Sequence, residues 1–268
     1  MKNLWKRTKP ILLALMYVAI YYAVSFAVQI IYTVWQNTSK GASISEIALN
    51  VTNNLYALTI ISVIITFWIY LIIGHKRKKQ LDRVIVNQKM PSMISIMAVC
   101  LAVGLRMLVT VYFHYSQNVE MLKQSIDEAS AITPQLTGTG QLLIACFATV
   151  LIAPLFEELL FRGIVMEELK TVMRPWAAIV LQAVLFGVAH GVLFQSIFAV
   201  VIGVILGVIY HKTKSFNTAV VCHSAFNFSV IMAQSELNLK TSIIVSVLGI
   251  VLVVFSMIYI LSSSKKAG

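Results

Sequence analysis

Long apolar runs decide what this chain can become. Eight stretches, roughly 11–35, 55–73, 92–115, 141–165, 176–194, 196–211, 216–233 and 241–262, are predominantly hydrophobic. Most approach the ~20 residues that a helix needs to cross a hydrocarbon core. In lipid a backbone must satisfy its own hydrogen bonds, so isolated runs of this kind fold as helices. With 59% hydrophobic and 12% charged residues, the chain lies outside the range of soluble domains. The expectation is an all-α polytopic membrane protein of about eight transmembrane helices. No repeat or low-complexity tract divides it, so residues 1–268 read as a single integral membrane domain. The first run is too long for a cleavable signal peptide and lacks a small-residue cleavage site.

A net charge of +11 could suggest a nucleic-acid partner, but the charges are not distributed for one. Of the 21 Lys and Arg residues, sixteen fall on the stretches that share a side with the N-terminus, including Lys2, Arg7, Lys76, Arg83, Arg174, Lys212 and Lys266. Lys40, Lys123 and Lys240 fall on the other side, and Arg106 and Arg162 lie within apolar runs. That bias places both termini in the cytoplasm of a multi-pass cell-membrane protein. The basic balance is explained by topology and by the lipid bilayer as partner, with no nucleic acid needed.

The polar stretches 36–54 and 116–140 are expected outside. Gly74–Lys79 reads as a cytoplasmic stop, and Leu81–Pro91 as a segment along the membrane surface. Cys100, Cys146 and Cys222 all sit in apolar runs, which gives neither a disulfide framework nor a zinc cluster.

Chemistry concentrates in residues 141–233. Glu157, Glu158 and Arg162 stand among Leu, Phe and Ile, where each buried charge costs ~2.5–3.5 kcal/mol on insertion scales. Glu158 and Arg162 are four residues apart, acid before base, and share a helix face. Glu157 points about 100° away and is left over for chemistry. Pro154 removes a backbone hydrogen bond just before them. Phe186 with His190, and His223 with Asn227, repeat the four-residue spacing on two further runs. At 1.5 Å per residue Glu157 lies ~20 Å from Lys170, His190 ~22 Å from Pro175 and His223 ~14 Å from Lys214. The active site is therefore expected inside the helix bundle. Gly187 and Gly191 flank His190 at a spacing that allows close helix approach, and Gly203 with Gly207 reads as packing.

Singly, each residue has a plainer explanation. A histidine can bond a backbone carbonyl, Asn227 can join two helices, and Glu158 with Arg162 can be purely structural. Together, two carboxylates, an arginine, two histidines and an asparagine on three neighbouring helices ask for more.

The three motifs EExxxR (Glu157-Glu158-Leu-Leu-Phe-Arg162), FxxxH (Phe186-Gly-Val-Ala-His190) and HxxxN (His223-Ser-Ala-Phe-Asn227) resemble, in identity and order, the signatures of the CAAX-protease and bacteriocin-processing family. That family includes the type II CAAX prenyl endopeptidases. The resemblance implies an intramembrane endopeptidase acting on a peptide or protein substrate at the membrane. It implies Glu157 as general base for a water held with help from His190, Glu158 and Arg162 as braces, and His223 with Asn227 as oxyanion donors. It leaves open a metal-dependent version in which Glu157, His190 and His223 bind zinc, although HExxH is absent and the metal-free form is favoured. It also leaves open a regulator or immunity protein that acts on a membrane sensor or bacteriocin. A transporter is the third reading, disfavoured because no internal repeat is present.

Overall fold

The computed structural model of the chain describes residues 2–74, 92–134, 138–232 and 238–264. Among these residues there are helices and no strands. In chain order they are α1 (Lys2–Lys40), α2 (Ile44–Asn53), α3 (Leu55–Gly74), α4 (Ser92–Ser116) and α5 (Glu120–Ile132). There follow α6 (Thr139–Lys170), α7 (Pro175–Val188), α8 (Leu193–Thr213), α9 (Phe216–Met232) and α10 (Leu239–Ser264). The cytoplasmic stop at residues 75–79, the surface segment Leu81–Pro91, residue 233 and the terminal Lys265 and Lys266 lie outside the described residues.

Among the described residues six helices, α1, α3, α4, α6, α8 and α10, are long and apolar enough to cross a membrane. α7 and α9 are shorter, at 14 and 17 residues. At the helical rise they span ~21 and ~26 Å, against a hydrocarbon core of ~30 Å. The all-α polytopic architecture is as expected: among the described residues, six of the eight apolar runs make helices of full spanning length and two make the shorter α7 and α9. The fifth apolar run, expected to continue to residue 194, makes a helix that stops at Val188. Gly191 adopts φ +73°, a left-handed turn that glycine accepts without steric cost. His190 consequently sits in the turn, not on the helix face that its spacing suggested.

The polar connections also fold. Gly41, at φ +60°, ends α1 with its N–H on the Asn37 carbonyl at 3.0 Å. Ser43 and Glu46 then form a reciprocal capping box for α2. The Ser43 N–H and hydroxyl bonds hold the exposed Glu46 carboxyl below its usual range. On α5, the Ser125 hydroxyl accepts the Phe194 N–H at 3.0 Å, which satisfies an orphan donor at the start of α8.

Lipid and core are sorted by face. Val251, Phe255 and Ile258 on α10 are each more than half exposed, as expected where the surrounding solvent is hydrocarbon. Burial centres on α6, where all eight residues of Leu159–Met166 are covered. α8 reaches α7 through glycines. A Cβ on Gly203 would lie 3.1 Å from Ala183, and one on Gly207 would lie 2.7 Å from the Gln182 amide nitrogen. A Cβ on Gly187 would likewise lie 2.8 Å from the Ser196 carbonyl, whereas one on Gly191 would meet open space, so that glycine serves only the turn.

Candidate active site

α6 does not run as a uniform α-helix. Two π-helical stretches, Phe147–Ile152 and Leu159–Met166, flank the α-helical residues Ala153–Glu158. In a π-turn each N–H reaches the carbonyl five residues back, and Ala153 does so to Ala148. The next bond in that register would join residue 154 to Thr149, but residue 154 is proline and has no N–H. The Thr149 carbonyl instead accepts the Asn227 side-chain N–H at 2.8 Å. A polar side chain on α9 thus replaces a backbone donor missing from α6, one turn before the acids.

The acids then separate. Glu158 is fully buried and its Oε1 receives Arg162 Nη1 at 2.8 Å, the pair read from the four-residue spacing. The same oxygen meets His223 Nδ1 at 2.8 Å. A carboxylate only accepts, so Nδ1 carries the proton. Arg162, also fully buried, donates from Nη2 to the Gly203 carbonyl at 3.2 Å, and its guanidinium lies 4.7 Å over the Phe186 ring. The Gln182 amide donates to that same carbonyl at 2.9 Å. Glu157 stands outside this network. It keeps 23% of its side-chain surface, and its Oε2 lies 3.7 Å from His223 Nε2, too far for a direct hydrogen bond and close enough for shared water.

His190 places its Nδ1 2.8 Å from the Phe186 carbonyl, in the turn that closes α7. That carbonyl accepts, so Nε2 is left with a lone pair. The Phe186 ring packs edge-on against both imidazoles, with centroids at 4.8 Å from His190 and 5.8 Å from His223. Among the described residues no three His, Cys, Asp or Glu side chains stand together as a metal-binding group. Glu157, His190 and His223, the set that a zinc-dependent version would use, form no such group as arranged.

The structure therefore brings Glu157, Glu158, Arg162 and His223 into one cluster, with His190 on the wall of the same cavity. Asn227 lies beside the cluster and faces a backbone carbonyl. What the sequence reading missed is the opposite wall. A cavity of about 460 Å³ is lined by Glu157, Phe161, Phe186 and His190 on one side, and by Tyr21, Tyr22, Ser25 and Gln29 of α1 with Leu55, Thr59 and Ser62 of α3 on the other. The Tyr22 hydroxyl donates to the Ala189 carbonyl and so ties α1 to the His190 turn. Tyr21 packs on Phe156, centroids 4.9 Å apart, one residue from Glu157. One signal was available: Tyr21, Ser25 and Gln29 recur every four residues in an otherwise apolar helix.

Residues 139–229 match the family model described as type II CAAX prenyl endopeptidase Rce1-like, about a third of the chain. No curated protein and no solved structure matches it.

Proposed function

We propose that this multi-pass membrane protein, which carries a CAAX-protease-like domain at residues 139–229, is an endopeptidase that hydrolyses a peptide bond inside its helix bundle. The observation that carries the reading is the division between the two glutamates. Glu158 is buried and paired, while Glu157 reaches the cavity 3.7 Å from His223.

In this reading Glu157 takes a proton from a water lying between itself and His223, and the water oxygen bonds to the peptide carbonyl carbon. The carbonyl electrons collect on oxygen as an oxyanion. When the C–N bond breaks, the proton held by Glu157 passes to the leaving nitrogen, which gives one carboxyl and one amine product. His223, with Nδ1–H held by Glu158, turns Nε2 toward Glu157 and donates from it to the oxyanion. The Nε2 lone pair of His190 helps hold the water. Asn227, whose amide is engaged by Thr149, serves the reaction by fixing α6 and not as the oxyanion donor that the motif alone suggested.

No step needs a metal. Metal analysis of purified wild type beside His190→Ala and His223→Ala is the check: one zinc per chain, lost in both variants, overturns this mechanism. With both termini cytoplasmic, as the basic residues favour, the cavity mouth faces the exterior, and a reporter fused to the C-terminus should read inside. The substrate is then a membrane-associated peptide or protein segment reached from that side. Membrane-associated peptides should differ between cells carrying wild type and Glu157→Gln, with a precursor accumulating in the variant. Identical peptide profiles at equal expression would sink the protease reading.

A further inference from the structure

The wall built by α1 and α3 lies outside the matched segment, and its α3 side presents two hydroxyls whose hydrogens are engaged within their own helix. The Thr59 hydroxyl donates to the Leu55 carbonyl at 2.8 Å, and the Ser62 hydroxyl to the Leu58 carbonyl at 2.8 Å. The Tyr22 hydroxyl is spent on Ala189. Each of these oxygens has used its hydrogen and retains lone pairs. Toward the cavity they therefore offer acceptors, a turn apart along α3.

We infer that this wall is a substrate subsite that binds an unwound peptide backbone through its N–H groups, with Thr59 and Ser62 as the paired acceptors. The inference rests on the endopeptidase reading and names what that site grips. A desolvated backbone N–H must find a partner, and in a membrane-embedded cavity water does not supply it freely. In a helical segment those N–H groups are already satisfied internally. An isoprenoid or acyl chain has no N–H and would leave the Thr59 and Ser62 lone pairs desolvated and unmatched.

The cavity starts where such a stretch could arrive. Leu55 is the first residue of α3, and His190 lies just past the end of α7, so both mark one end of the bundle. From there the cavity reaches inward to Glu157. A peptide lying along it would have its N–H groups on α3 and a carbonyl facing Glu157 and His223 across the gap.

The test uses Glu157→Gln protein in lipid nanodiscs, so that binding is read without cleavage. The probes are a fluorescein-labelled pool of mixed-sequence nonapeptides, the same pool N-methylated along its backbone, and farnesol as competitor. The unmethylated pool should bind about three- to tenfold more tightly, the scale of one or two neutral hydrogen bonds. Adding Thr59→Val and Ser62→Ala should erase that preference, and farnesol should not displace the pool. Thr66→Val is the folding control, because Thr66 donates to Ser62 in the same way yet does not line the cavity. The subsite is overturned if methylation makes no difference, if the Thr59 and Ser62 changes leave the preference intact, if Thr66→Val abolishes it equally, or if only farnesol binds. Wild type that fails to cut a pool bound by Glu157→Gln protein overturns the protease reading and leaves the subsite standing.

Discussion

α6 and α3 both bring oxygen atoms to one cavity, and they do so in opposite ways. On α6 one carboxylate, Glu157, reaches the cavity, and its neighbour Glu158 is buried behind it at a cost that its partners offset. Glu158 has Arg162 and His223 at 2.8 Å each. On α3 the oxygens are hydroxyls that satisfy themselves on their own helix and need nothing from elsewhere. The difference teaches where dependence lies. The α6 side is a network in which removing one member strands another, whereas the α3 side is a set of independent groups. Substitutions should therefore cost much on α6 and little on α1 and α3, and the two sides should fail by different routes.

The largest effect is expected at Glu157. Glu157→Gln should lower turnover of a cleaved peptide by about 10²–10⁴-fold, the usual range for a general base, with thermal stability unchanged because Glu157 braces nothing. Near-normal turnover would remove it from the chemistry. Glu158→Gln should strike stability first. It strands buried Arg162 and unfixes His223, and losing one member of a buried pair costs about 3–5 kcal/mol. A thermal midpoint equal to wild type would show that the pair is dispensable.

Asn227 sharpens the comparison further. Asn227→Ala should leave the Thr149 carbonyl unpaired, at about 1–3 kcal/mol, and lower activity by displacing the acids. Pro154→Ala restores a backbone N–H in the right register, so the double variant Pro154→Ala with Asn227→Ala should recover stability and part of the turnover. A direct oxyanion donor could not be rescued from that position. Unchanged stability in Asn227→Ala, with no recovery in the double variant, would return Asn227 to the oxyanion. On the other wall, Tyr22→Phe removes a single tie to the His190 turn. It should cost about 0.5–1.5 kcal/mol, seen as a turnover loss of tenfold at most without loss of protein. A collapse in protein level there would show that the two sides are not so different.

Much of the back half was legible because its information is local. A four-residue step fixes Glu158 beside Arg162 whatever surrounds them, and it survives even the π-helical register that follows. The same rule overreached at His190, since a left-handed glycine three residues after the helix end matters more than spacing. On α1 it left only the four-residue recurrence of Tyr21, Ser25 and Gln29, and it was silent on α3. Tyr, Ser, Thr and Gln scattered through apolar helices have ordinary packing explanations, and nothing in their spacing says that they face the acids.

By itself the sequence determined that the chain is a helical membrane protein, which residues are too costly to bury without purpose, and which acid pairs with Arg162. These follow from composition and from periodicity within one helix. Tertiary structure decided that Glu157 meets His223, that Asn227 fills the place left by Pro154, and that hydroxyls of α3 complete the cavity. Each depends on contacts between helices far apart in the chain, 78 residues for Asn227 and Thr149, where the relative rotation and depth of packed helices decide which side chains meet.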